Sequence, residues 1–217
     1  IIIFDKKTYA ADQKFFLKNK RKKDIFIKGD ICNYKKLKKT IPKNCYVIHF
    51  AAESHVDNSF FSSLNFTKTN ALGTHTLLEV CRFKSNKKIT IISTDEVYGE
   101  TIKKKNEKSI LEPTNPYSAS KTSADIISQT YYKCFDLPIS IVRANNLYGD
   151  YQHIEKIIPA TVNAINKGKN LKIHGGGKTI RNFLHVVDFA AAVQLITKKS
   201  QNGQIYNVKG KFKIKII

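Results

Sequence analysis

The sequence predicts an α/β fold built on a parallel sheet, and three observations carry that reading. Short, largely apolar runs at residues 1–4, 46–50 and 89–92 read as buried strands, the all-apolar 1–4 as one covered on both faces, and residues 137–143 form another. Between them, residues 66–82 and 117–133 show apolar side chains at helical spacing, which is the alternation of β-α units. The run Ile89-Thr90-Ile91-Ile92 then delivers Ser93-Thr94-Asp95-Glu96. Hydroxyls and two adjacent carboxylates thus fall at the carboxyl edge of a sheet, where open α/β folds bind ligands.

Composition bounds the function classes. A chain of 217 residues, 41% hydrophobic, can bury a sizeable core in one or two domains. The net charge of +21 invites a nucleic-acid partner, yet among 38 basic residues the arginines are only Arg21, Arg82, Arg143 and Arg181. Base readers and phosphate clamps favour the guanidinium fork, and the lysine clusters at 18–23, 35–39 and 103–108 read as solvated loops and helix faces. No nucleic-acid partner is expected. Cys32, Cys45, Cys81 and Cys134 follow no disulfide or zinc spacing, so neither a disulfide framework nor a metal site is expected, and a reducing cytoplasmic setting is the simplest. No apolar run approaches the roughly 18 residues of a membrane span, and since the sequence opens at Ile1 rather than Met, targeting is left open.

The elements follow in order. Residues 1–4 form an all-apolar strand ending at Asp5, where an acid can hydrogen-bond adenosine ribose hydroxyls and favour NAD over NADP, or simply cap a turn. Lys6 and Lys7 weaken that preference. Residues 25–27 form a strand leading to Gly29-Asp30-Ile31, and residues 32–41 a short surface helix. The strand at 46–50 ends in Ala51-Ala52, small enough for close approach of a cofactor, and a loop with His55 follows. The helix at 66–82 carries Thr69 and Asn70, and a buried Asn there more often ties a neighbouring loop than does chemistry.

Pro116 opens the next helix, in which Tyr117 and Lys121 lie one turn apart on one face. A Lys ammonium beside a phenol lowers its pKa from about 10 toward what a general base needs, although Tyr-x-x-x-Lys alone is more often an ordinary amphipathic helix. A strand at 137–143 runs into Ala144-Asn145-Asn146-Leu147-Tyr148-Gly149. A helix begins near Ile154, a strand spans 171–175 around His174, a helix covers 187–196 and a strand 205–208.

In combination, Ser93-Thr94-Asp95-Glu96-Val97-Tyr98-Gly99, the turn-rich Glu112-Pro113-Thr114-Asn115-Pro116 and Tyr117-x-x-x-Lys121 resemble the nucleotide-sugar 4,6-dehydratases of the extended short-chain dehydrogenase/reductase superfamily, best known in the dTDP-glucose 4,6-dehydratase type. The likeness runs from Ile1 to about Gly210. It implies a Rossmann-like, doubly wound parallel sheet whose first β-α unit is missing, since no G-x-x-G-x-x-G occurs, and the sequence is therefore expected to be a fragment. Residues 1–150 would form the NAD-binding domain and 151–217 part of a substrate-binding region, with residues 187–199 and 205–208 returning to the core.

The resemblance further implies NAD held by Asp5, Asp30, Ile31, Ala51, Ala52, Thr69, Tyr117 and Lys121. A nucleotide-sugar would be held by His55, Asn146, Lys156, His174 and Arg181. Catalysis would fall to Thr94, Asp95, Glu96, Tyr117 and Lys121. Tyr117, aided by Lys121, takes the C4 hydroxyl proton as hydride leaves for NAD. Glu96 then removes the C5 proton, Asp95 protonates the departing C6 hydroxyl, and hydride returns to C6. Leu147 stands where many dTDP-glucose enzymes carry Asn, so the base, dTDP or UDP, is open. A homodimer is implied, and neither nucleic acid nor membrane. The alternatives are an epimerase of the same superfamily, which usually lacks the Asp-Glu pair, and a catalytically inactive remnant.

Overall fold

The computed structural model describes residues 1–100, 103–171, 180–211 and 213–215. β1 (Ile2–Asp5) and β2 (Ile25–Lys28) pair in parallel and are joined through α1 (Gln13–Asn19), a helix that Asp12 caps by accepting from Phe15 N–H. Phe16 packs edge-on against Phe26, with ring centroids 4.9 Å apart. Contrary to a strand covered on both faces, Ile1, Ile2 and Ile25 are exposed. The reason is that β1 and β2 form a sheet of their own, so their outer residues meet no further layer.

α2 (Tyr34–Thr40) follows, capped by Asn33, with Leu37 as its buried residue. Next come β3 (Tyr46–His49), α3 (Val56–Phe61), α4 (Ser63–Phe66), a π-helical turn over Thr67–Leu72 and α5 (Gly73–Arg82). The single helix expected at 66–82 is therefore three pieces, because an extra residue per turn at Thr67–Leu72 interrupts the α ladder. β4 (Lys88–Thr94) ends in a 3₁₀ turn, Asp95–Tyr98. α6 (Pro116–Phe135) is the long helix, and its start is dictated locally. Asn115 accepts from Ser118 N–H, the Ser118 hydroxyl serves the Asn115 backbone in return, and Pro116 fills the first turn. Asp136 in the left-handed region ends it.

β5 (Ile139–Ala144), β6 (Asn146–Tyr148), α7 (Ile157–Asn166), β7 (Ile180–His185), α8 (Val186–Lys199), β8 (Ile205–Val208) and β9 (Lys213–Lys215) complete the described elements. The strand expected at 171–175 falls, beyond Leu171, outside the described residues. The main sheet runs β3-β4-β5-β8 and is parallel throughout, while β6, β7 and β9 form a small mixed sheet.

Alternation along β4 and β5 splits the core in two. Ile89, Ile91, Ile139 and Ile141 meet Leu37 of α2, Leu77 and Leu78 of α5 and Tyr131 of α6 on one face. Ile92 and Val142 meet Phe189, Val193 and Ile196 of α8 on the other. Helices thus cover both faces of β4 and β5, the doubly wound arrangement, whereas Tyr46 and Ile48 of β3 and the following Phe50 are exposed, contrary to the buried strand expected there, because β3 stands at the edge of the sheet. Each such buried aliphatic side chain stabilises the fold by about 1.5–3 kcal/mol.

Buried charges knit the layers. Arg143, 2% exposed on β5, forms a two-pronged pair with Asp125 of α6 at 2.9 Å through each arm, and also donates to the Tyr98 hydroxyl (2.7 Å) and the Glu107 carbonyl (3.1 Å). Two lysines close helix ends: Lys84 Nζ donates to the Lys38 and Ile41 carbonyls after α2, and Lys88 Nζ to the Ser200 carbonyl and Asn202 Oδ1 after α8.

Candidate active site

A cavity of about 570 Å³ opens beside the carboxyl ends of β3, β4 and β5. β4 presents Ser93 and Thr94, the 3₁₀ turn presents Glu96, and α6 presents Tyr117 and Lys121, both buried. Ala52 after β3 and Ala144 of β5 complete this side with small side chains. His55, Asn146, Lys156 and Arg181 form the other side.

The five residues expected to be catalytic come together, with one departure. Asp95 lies behind the cavity wall rather than on it, its carboxylate accepting from Asn145 Nδ2, which does line the cavity, and from the Thr94 hydroxyl at 3.5 Å. Thr94 Oγ1 accepts from Glu96 N–H (3.2 Å), and Glu96 accepts from Asn115 Nδ2 (3.3 Å). Burial pushes both carboxyl groups above their ordinary pKa; the Asn145 bond and Arg181 oppose this at Asp95, and the Asn115 bond and Arg181 oppose it at Glu96.

Lys121 corrects an expectation. Its Nζ donates to the Ile92 carbonyl at 2.6 Å, and burial pushes it down to about 8 while Asp125 pushes back. The Tyr117 phenol is pushed up, not down: burial is the main cause, Glu96 and then Asp95 add to it, and Thr94 pulls the other way. The ammonium spends its bond on β4, and the phenol sits in the field of two carboxylates.

Of the residues expected around the cofactor's adenosine end, Asp5 stands exposed at the end of β1 and accepts from Lys7 N–H. Asp30 accepts from Cys32 N–H (2.9 Å) and pairs with Lys6 Nζ (2.8 Å). Lys6 and Lys7 are thus engaged, Lys7 lying 4.3 Å over the Phe26 ring. Ile31 points into the core rather than toward an open cleft, because Gly73 leaves room for it; a Cβ there would sit 2.4 Å from Ile31 Cγ2. Ala51 packs on the same core, and Thr69 sits half-buried on the π turn, outside the cavity wall.

On the far side, Lys156 Nζ donates to the Ser54 carbonyl (2.8 Å), with burial lowering its pKa, and Arg181 reaches Asp95 and Glu96 electrostatically. His55 Nδ1 is buried without a partner. His174 lies outside the described residues.

Sequence reading passed over Asn115 and Asn145, since an Asn in a loop reads as a turn residue. Asn70 does tie a loop: its amide clasps the Glu53 backbone at both N–H and carbonyl (2.9 Å each) and donates to the Ser120 hydroxyl. Among the described residues no group of His, Cys, Asp or Glu could hold a metal ion, and no helix is long and apolar enough to cross a membrane.

The chain is 44% identical to the dTDP-D-glucose 4,6-dehydratase of Dictyostelium discoideum over 99% of its own length and 53% of that protein's. It is 39% identical to a trifunctional UDP-glucose 4,6-dehydratase/epimerase/reductase of Arabidopsis thaliana over 100% of its length and 34% of the relative's. It therefore spans about half or less of these two curated relatives. The dTDP-glucose 4,6-dehydratase of Streptomyces venezuelae, solved with NAD bound, superposes with a TM-score of 0.96 at 34% identity, covering 99% of this chain and 67% of that one. The family model described as GDP-mannose 4,6 dehydratase matches residues 1–217, and the chain belongs to that family.

Proposed function

We propose that this chain carries NAD-dependent 4,6-dehydration of a glucose nucleotide, dTDP- or UDP-linked, to the 4-keto-6-deoxy sugar nucleotide. One observation carries the reading: Asp95 and Glu96 stand together at the end of β4, each on its own asparagine, next to Tyr117 and Lys121. Moving hydride and proton at C4 alone has no use for two carboxylates, whereas losing water needs a base at C5 and an acid at C6. The NAD in the S. venezuelae structure and the names of the relatives support the cofactor and the substrate class.

The residues present fit the cofactor. Ala52 and Ala144 keep the cavity floor low, and Ser93 Oγ, buried without a partner, offers a hydrogen bond. Asp5, Asp30 and Thr69 are assigned to its holding, with Ile31 and Ala51 backing that side from the core and Tyr117 and Lys121 at its reactive end. Bound NAD would supply the acceptor for the C4 hydride and its donor to C6. Tyr117, as the phenolate that a bound cationic nicotinamide would favour against the burial and carboxylates that oppose it, takes the C4 hydroxyl proton, and Thr94 holds the C4 oxygen. Glu96 removes the C5 proton, which the 4-ketone acidifies, and Asp95 protonates the leaving C6 hydroxyl. Arg181, Lys156, Asn146 and His55, with His174, hold the sugar nucleotide, Arg181 suiting its diphosphate as a planar fork. Residues 1–150 are assigned to the cofactor and 151–217 to the substrate side.

A homodimer is part of the same reading. α3 and α4 pack against α6, and Phe60, Phe61 and Leu64 on them are 63%, 90% and 82% exposed, an apolar face suited to a second copy.

The test follows the label. In the full-length protein, deuterium at C4 of the glucose nucleotide should reappear at C6 of the product, with solvent deuterium at C5. Label retained at C4 of a galactose epimer, with C6 still hydroxylated, would overturn the reading.

A further inference from the structure

Asp95 and Glu96 each accept from an asparagine, and the two asparagines are held differently. Asn115 gives Nδ2 to Glu96 while its Oδ1 accepts from Ser118 N–H at 2.8 Å as the cap of α6. Turning that amide over would break the cap. It can only donate, which suits a carboxylate that must stay ionised to act as a base. Asn145 gives Nδ2 to Asp95 Oδ2, and its Oδ1 is buried with no hydrogen-bond partner, in a residue that lines the cavity. A buried carbonyl oxygen without a donor is a standing cost unless another state of the site satisfies it.

We propose that Asn145 is a positioning residue for the acid step, an amide that turns over with the protonation state of Asp95: Nδ2 donates to the carboxylate, and after a half-turn Oδ1 accepts from the carboxyl proton. The inference rests on the dehydration reading. In that cycle Asp95 gives its proton to the C6 hydroxyl, which leaves as water while the C5 proton passes to Glu96 and the C5–C6 double bond forms. Glu96 returns a proton to C5 as hydride reaches C6. Asp95 is then reprotonated from solvent, which receives the proton held by Tyr117. Asp95 therefore passes through both states once per turnover, and each needs a partner.

A half-turn exchanges amide N and O with little change of shape. Arg181 of β7 favours the carboxylate, burial favours the carboxyl, and among the described residues Glu96 on the same turn and Tyr117 of α6 are further titratable neighbours. With these groups opposed, one amide able to serve either state decides how readily the proton moves.

The test uses the full-length protein and follows C4 oxidation and water loss separately. Asn145→Leu, similar in volume but neither donor nor acceptor, should leave C4 oxidation within about twofold and slow water loss on the order of 10- to 100-fold, so that 4-keto-glucose nucleotide accumulates. Its alkaline limb should move to higher pH, since the donor that favours the Asp95 carboxylate is gone. Asn145→Ser, whose hydroxyl both donates and accepts, should recover most of the loss and return the limb toward its original pH. Equal loss in both steps, failure of Ser to rescue, or normal water loss in Asn145→Leu would overturn the inference while leaving the dehydration reading intact. Absence of any 4-keto-6-deoxy product from the unsubstituted protein would overturn the reading and the inference together.

Discussion

A side chain's partners, more than its spacing, decide what it can do here. Tyr117 and Lys121 share a helix face, as Tyr-x-x-x-Lys suggested, yet the ammonium bonds a β4 carbonyl and the phenol is governed by burial and the carboxylate pair. Tyr117→Phe in the full-length protein should suppress C4 oxidation by about 10²- to 10⁴-fold, read as the rate of ketone formation. Asp95→Asn and Glu96→Gln should spare that step and impair water loss, so the double variant should accumulate 4-keto-glucose nucleotide. Ser93, Thr94, Glu96, Tyr117 and Lys121 reach one cavity because the linear motif sits where a strand ends and a helix begins, and that was legible. Asn115 and Asn145 were not, because their role depends on which carboxylate the fold sets opposite each amide.

Among the elements, β4 and β5 were the most legible, since Ile and Val interrupted only by the small Thr90 and Ser140 fit a strand buried on both faces. The π turn was not, because one extra residue in a helix leaves the apolar spacing nearly unchanged. β3 is tied to this helical run by a buried bond. Thr74 donates its hydroxyl proton to the Asn70 carbonyl (2.6 Å), so His49 Nε2–H donates to Thr74 Oγ1 (2.8 Å). Burial, and secondarily Lys121, pushes His49 down to about 3. An unfolded His titrates near 6.5, so between those values the unfolded chain binds the extra proton, and this contribution to stability is full above about pH 6.5 and lost as pH falls toward 3. His49→Gln keeps a donor and removes the titration. Denaturant midpoints should therefore fall more steeply with acid in the unsubstituted protein than in His49→Gln over that window.

At the scale of the molecule, Arg143 joins the sheet, α6 and the turn that carries the carboxylates. Asp125→Asn leaves its charge buried with a neutral partner and should cost about 3–5 kcal/mol in urea unfolding, whereas replacing both by Leu and Met should cost less. The apolar face of α3 and α4 predicts a mass of twice the chain by light scattering, and Phe61→Asp with Leu64→Asp should return it to one copy. The lysines carry a different kind of information. Lys84, Lys88, Lys121 and Lys156 spend their ammonium groups on carbonyls of the folded chain, while the clusters at 18–23 and 35–39 stand mostly in water. A brief pulse of an acylating reagent is thus a readout of foldedness. Mass spectrometry should find the clusters modified first and the buried Lys88 and Lys121 last, and loss of that order on titrating in denaturant should trace the unfolding of the chain without any substrate in hand.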